Sequence, residues 1–207
     1  MPYHSPSDRA RACEEIVLAA RRGEEARRRF ADAANRTESH SATFRAIKKK
    51  HPDKATRTIL DDLIDQTPGE EGEWFATAKT QALLDLALDL SRRSPVDVGT
   101  LLRAARDHLD SEPAFVLETA TTALSWMAAG QFYELRAGDV WQAMGDALHA
   151  TKALDRVGAT RGLILALAQD PNTDPFVRER LGQRTPSVPA HRVPSGAGQA
   201  MITYRYL

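Results

Sequence analysis

The chain is predicted to be all-α: an irregular bundle of antiparallel helical hairpins with a flexible C-terminal tail. Three observations carry this. Ala, Leu, Arg and Asp are prominent while aromatics make up only 6% of the 207 residues, a mixture that favours helices over strands. Apolar residues recur at three- and four-residue steps along most of the chain. Helix punctuation, with Ser, Asp or Pro before a periodic run and Gly or Pro after it, falls where that periodicity starts and stops.

The first helix is expected to start at a Ser7-Asp8 cap, with Ala10, Cys13, Val17 and Ala20 on one stripe, Ile16 beside it, and Cys13 a buried small hydrophobe. Gly23 weakens the helix by up to about 1 kcal/mol relative to Ala, yet the pattern runs on from Glu24 to Ala34. Phe30 is the only large apolar residue there, so this half is expected to be mostly solvated, with Glu24 pairing Arg28 and Glu25 pairing Arg29. A short helix with Phe44 and Ile47 follows Ser41 and ends at Pro52, whose ring disfavours the α region for His51.

The tripeptide His51-Pro52-Asp53 after a basic helix resembles the signature loop of J-domain co-chaperones, which stimulates the ATPase of heat-shock chaperones of the seventy-kilodalton class. The aromatic and leucine pattern expected on the preceding helix is missing from Glu24–Asn35, so Pro52-Asp53 is read as a helix start. Ala55, Ile59, Leu60, Leu63 and Ile64 form the face of that helix up to Gln66. Thr67-Pro68-Gly69-Glu70-Glu71-Gly72 is a turn-rich acidic connection, which divides the chain into a basic N-terminal helical region (1–66), a helical bundle core (73–182) and a Pro/Gly-containing tail (183–207).

Trp74, Ala78, Ala82, Leu86 and Leu90 predict one long helix over 73–93. Ser94-Pro95-Val96-Asp97 and Ser111-Glu112-Pro113 each read as a cap followed by a first-turn proline or acid, opening helices faced by Val98, Leu101, Leu102 and Ala105, and by Phe115, Val116, Ala120, Ala123, Leu124 and Met127. Gly130 is placed to end the second of these. Gly138-Asp139 opens a partner helix with Val140, Trp141, Met144, Ala147 and Leu148. Thr160 is expected to cap another with Leu163, Ile164 and Leu167 buried, and Asp174-Pro175 to start a last turn that Gly182 stops. The helix starts are spaced irregularly, which argues for a bundle rather than a solenoid.

Residues 109–157 resemble a helical segment of uncharacterised bacterial proteins. The likeness lies in an acid and proline (Glu112-Pro113) before a Phe-containing helix, Trp126 about a dozen residues later, and the Gly130, Tyr133 and Glu134 corner before the next helix; Gln131-Phe132 departs from it. It implies a hairpin and brings no activity.

The formal net charge of zero is unevenly distributed: fourteen Lys/Arg against eight Asp/Glu up to Arg57, five against fourteen from Thr58 to Leu135, and nine against six beyond. One cysteine excludes an intramolecular disulfide. The opening residues lack an apolar leader, and no window approaches a membrane span, so a cytoplasmic, soluble protein without a membrane partner is expected. The six histidines never fall at the four-residue spacing of a zinc pair, and no phosphate loop, nucleophile elbow or di-iron motif occurs, so no catalytic residue, cofactor or metal is assigned. Two functions follow. The first is a non-catalytic helical protein-protein interaction or adaptor module, with Phe132, Tyr133, Trp141, Tyr204 and Tyr206 as candidate partner-binding residues. The alternative is a nucleic-acid-binding accessory protein using Arg27, Arg28, Lys48, Lys49, Lys50 and Lys54.

Overall fold

A computed structural model describes residues 5–184, and the candidate residues Tyr204 and Tyr206 lie outside them together with the rest of the tail beyond Arg184. Among the described residues there are eleven α-helices and no strand: α1 (Pro6–Ala19), α2 (Gly23–Asn35), α3 (His40–Lys50), α4 (Thr56–Gln66), α5 (Phe75–Thr80), α6 (Leu84–Arg93), α7 (Val98–Asp107), α8 (Pro113–Ala128), α9 (Ala137–Ala153), α10 (Val157–Gln169) and α11 (Pro175–Arg184), with a 3-10 turn at Glu71–Trp74 before α5. The all-α expectation holds.

Several local expectations do not. The first helix is capped two residues earlier, by Ser5, whose hydroxyl accepts from the Asp8 amide while the Asp8 carboxylate accepts from the Ser5 amide. It then stops instead of running through Gly23. Arg21 takes a left-handed φ of 59°, and the amides of Arg21 and Arg22 close back on Leu18 and Val17 carbonyls, so α1 and α2 form a tight hairpin. Cys13 is exposed and Ile16 is 69% exposed, because α1 turns Glu14, not Cys13, toward α2. The solvated helix expected after Gly23 is instead an inner element that buries Ala26, Arg27, Ala31, Asp32 and Ala34.

Pro52 and Asp53 form a turn, and α4 starts only at Thr56. The Glu73–Arg93 helix is broken at Ala82, also left-handed at φ 57°, where the Leu83 amide returns to Ala78 and that of Ala82 to Lys79. The break lets Trp74, Phe75 and Ala78 face one way and Leu86, Ala87 and Leu90 another, all in the core. Asp97, not Ser94, caps α7, its carboxylate accepting from the Thr100 amide at 2.8 Å. Thr160 lies inside α10 instead of capping it, with its hydroxyl 2.9 Å from that of Thr151. α11 continues past Gly182. For α8, Pro113 stands in the first turn as expected and Gly130, at φ 69°, ends it, but Ser111 is not its cap: Glu112 holds that position without a side-chain cap bond. α9 opens at Ala137 after Arg136, one residue before the expected Gly138.

One apolar cluster runs from Ala31, Phe44 and Ile59 through Trp74, Leu101 and Leu124 to Val177 and Leu181. A smaller one lies between α7, α8 and α9 around Val116, Ala120 and Ala147. The Thr67–Trp74 connection is folded into this packing: the Trp74 indole N–H donates to the Thr67 hydroxyl at 2.8 Å, and the Gly72 amide to the Ser94 hydroxyl at 2.7 Å. A Cβ on Gly72 would sit 2.6 Å from the carbonyl oxygens of both Ser94 and Pro95, so only glycine allows this approach.

Two consequences are measurable by denaturant unfolding. Gly72→Ala should destabilise by about 2–3 kcal/mol, since backbone must move on one side or the other. At the left-handed positions the sign reverses with the residue: Ala82→Gly should gain about 0.5–1 kcal/mol, and Gly130→Ala should lose about 1 kcal/mol. Unchanged midpoints would contradict this account of the turns.

Candidate functional site

The basic N-terminal candidates are drawn into the fold to very different degrees. Arg27 is 3% exposed; it pairs with Asp62 of α4 and donates to the Thr58 carbonyl at 3.4 Å, so it presents no cation to a partner. Arg28 is exposed, with its Nε 3.6 Å from Asp62. Lys50 donates at 2.7 Å to Glu14, a carboxylate only 1% exposed that also accepts from Asn35 at 2.9 Å. Lys48 donates to the carbonyls of Pro52 and Lys54. Lys54 pairs with Glu24 at 3.0 Å, which holds the Glu24 carboxyl below its ordinary value. Lys49 is exposed. The positive excess read from the sequence is therefore spent mainly on acids and carbonyls within the same four helices.

His51 sits behind this network at 9% exposure, its Nε2 buried without a hydrogen-bond partner. Burial, and then the charge of Arg27, hold its pKa below the ordinary 6.5. The unfolded chain therefore takes up this proton first as the pH falls. The stabilisation is complete above pH 6.5 and declines as the pH drops from there through the depressed value. A His51→Gln variant should show a flatter dependence of melting temperature on pH between about 7 and 5 than the parent; parallel curves would disprove the linkage.

The aromatic corner between α8 and α9 is split by the fold. Tyr133 is fully exposed at 106%, whereas Phe132 and Trp141 are half-buried and packed against the main cluster. The Trp141 indole donates to the Arg180 carbonyl at 3.4 Å. Only Tyr133 of the three projects as a free side chain.

An open concavity lies elsewhere, at residues that the sequence assigns to no site. α10 packs on α9 and α11 but stands off α8, leaving a groove of about 710 Å³. One wall is the Thr121–Ala129 stretch of α8, with Trp126 held by a 2.7 Å hydrogen bond from its indole N–H to the Ser91 carbonyl. The other wall is Leu163 and Leu167 of α10. Arg92, paired with Glu118 at 2.6 Å, marks one end, and the loop carrying Asp170, Asn172 and Thr173 closes the other. Leu163, expected to be buried, is 38% exposed. Only Thr160 and Ile164 of α10 are buried, although Leu163, Ile164, Leu165 and Leu167 put apolar side chains on several sides of that helix. That all-round apolarity on a short helix was the available sequence signal, because a helix apolar beyond one face must be covered by something.

Two hydroxyls along the groove, those of Thr121 and Ser125, are engaged as donors within α8. Thr121 bonds the Leu117 carbonyl at 2.8 Å and Ser125 the Thr121 carbonyl at 2.9 Å. The groove lining contains no histidine or cysteine. Among the described residues no group of three or more His, Cys, Asp or Glu is placed to hold a metal ion, and no helix is long and apolar enough to cross a membrane. The fold and groove define the class, an all-α helical protein with an open, largely apolar interhelical cleft. In comparisons with protein families, curated proteins and solved structures, nothing matches the chain.

Proposed function

We propose that this chain is a non-catalytic protein-interaction module that docks a segment of a partner protein in the groove between α8 and α10. The observation that carries the reading is the standoff of α10 from α8, which leaves Leu163, Leu167 and Trp126 lining an open cleft of about 710 Å³. Its lining sets Trp126, Leu163 and Leu167 between charged groups at the two ends, with a few hydroxyls along the α8 wall, a surface that a partner's apolar stripe would complete. The Thr121 and Ser125 hydroxyls, already donating within α8, offer such a segment polar contact from the groove wall. Tyr133, projecting beyond the end of α8, extends the same side chain chemistry toward a partner.

The nucleic-acid reading draws less support, since Arg27, Lys48, Lys50 and Lys54 satisfy groups of their own fold. Its cleanest probe is the exposed pair Arg45 and Lys49. Changing both to glutamate should leave the melting temperature unchanged and, on the interaction-module reading, leave retention on a nucleic-acid column unchanged at every salt concentration.

The docking reading is tested by placing a photo-crosslinking amino acid at position 163 in cells and, as control, at the exposed position 16 on α1. A discrete protein adduct from position 163 alone is expected. It should disappear when a charge is added at the other wall by Ala129→Glu, a variant whose exposed site predicts a stability change within about 0.5 kcal/mol. Adducts of equal yield from both positions would reject the groove as the docking surface.

A further inference from the structure

We infer that the segment received by this groove is an amphipathic helix running antiparallel to α8 and α10, with a lysine or arginine in its first turn. This rests on the groove being a docking site and adds a direction and a charge to its occupant. The direction follows from topology. α10 begins beside the end of α9, where the Thr151 and Thr160 hydroxyls meet at 2.9 Å. It finishes at Gln169, and five residues later the Asp174 amide donates to the Ala128 carbonyl, at 2.8 Å, at the end of α8. The two walls of the groove therefore run the same way, and their C-termini lie together at its Asp170 end.

Each helix C-terminus carries about half a negative elementary charge, and Asp170 adds a full one. Its Oδ1 accepts from the amide and side chain of Asn172 at 2.8 and 3.0 Å, and its Oδ2 has no hydrogen-bond partner among the described residues. Arg178, the nearest cation on α11, points its guanidinium to the Pro171 carbonyl at 3.1 Å and is outside the groove lining. At the opposite end Arg92 is compensated by Glu118. The groove thus has one electronegative end and one that is close to neutral.

A helix laid antiparallel puts its positive N-terminus and any first-turn cation at the electronegative end, while the parallel orientation would bring three C-termini together. The wall from Thr121 to Ala129 is about 12 Å long, two turns of helix. That length matches an apolar stripe of three or four side chains received by Trp126, Leu163 and Leu167.

The test uses the full chain and two synthetic helical peptides of identical composition with the same leucine stripe, one with two lysines in the first turn and two glutamates in the last, the other with these exchanged. Binding is read by fluorescence anisotropy of a labelled peptide. The lysine-first peptide should bind at least about tenfold more tightly. Asp170→Asn, which keeps the acceptor to Asn172 while removing the charge, should erase most of that preference, and Leu163→Glu should abolish binding of both; a thermal melt checks that each variant is folded. Equal affinities, or a preference unchanged in Asp170→Asn, overturn the inference. If binding is equal and still lost in Leu163→Glu, the docking reading stands without it. If neither peptide binds, the inference and the groove as a helix-docking site fall together.

Discussion

The arrangement depends on how the acidic connection between α4 and α5 is held. Six residues of turn and acid would ordinarily trail over the surface, yet Thr67 and Gly72 are buried and Trp74 is wholly so. A buried indole needs its N–H satisfied, and the Thr67 hydroxyl accepts it while itself donating to the Leu63 carbonyl at 3.0 Å. This fixes the end of α4 against the start of α5. The His40 ring stands edge-on to Trp74 at 4.6 Å, bringing α3 to the same point, and Gly72 lets the Ser94–Pro95 backbone close over it. Packing on both sides of the connection is set by this one ring and the absence of one Cβ.

The four N-terminal helices solve a different problem. Their sequence is too charged to bury a large apolar area, and they enclose ion pairs instead: Arg27 with Asp62, Lys50 with Glu14, and Arg36 with Asp32 at 2.5 Å. Such pairs add little net stability over apolar residues of the same size, but removing one partner leaves a buried charge and costs about 3–5 kcal/mol. The network therefore specifies which faces of α1, α2, α3 and α4 meet more than it strengthens their contact. A basic segment read linearly looks available for phosphate. Folded, Arg27, Arg28, Lys50 and Lys54 are committed to acids thirty or more residues away, and others to acids within their own helix.

That contrast explains what was legible in the sequence and what was not. α8 could be read closely because apolar period, first-turn proline and terminal glycine agree there, and the inner faces of α7 and α9 followed from apolar period. The breaks at Arg21 and Ala82 could not, because their left-handed residues are not glycine or asparagine and carry no local signal. The burial of Glu14 and Arg27 was hidden for the same kind of reason: each is inward because of a partner on another helix. Periodicity assigned Cys13 to the inner face on residue type alone, whereas rotation of α1 by one position satisfies Glu14 and leaves the thiol outside. The groove was illegible because it is a standoff between α8 and α10, and no local pattern records which pairs of helices pack closely.

Why the gap persists has a physical answer. α10 is tied at its start to α9 through Thr151 and Thr160 and at its end to α8 through the Asp174 amide, with Val177 and Leu181 of α11 filling the space beneath. Trp126 is meanwhile drawn toward α6 by its bond to Ser91. Closing the groove would require α10 to slide toward α8 and give up Ile164 and the α11 contacts, a loss of about 1.5–3 kcal/mol for each large buried side chain. The gain would come only from covering Leu163 and Leu167, which are already partly shielded. With both ends anchored, the cheaper way to bury those leucines is to add a helix from outside, and two parallel walls that share an electronegative end determine which way round that helix lies.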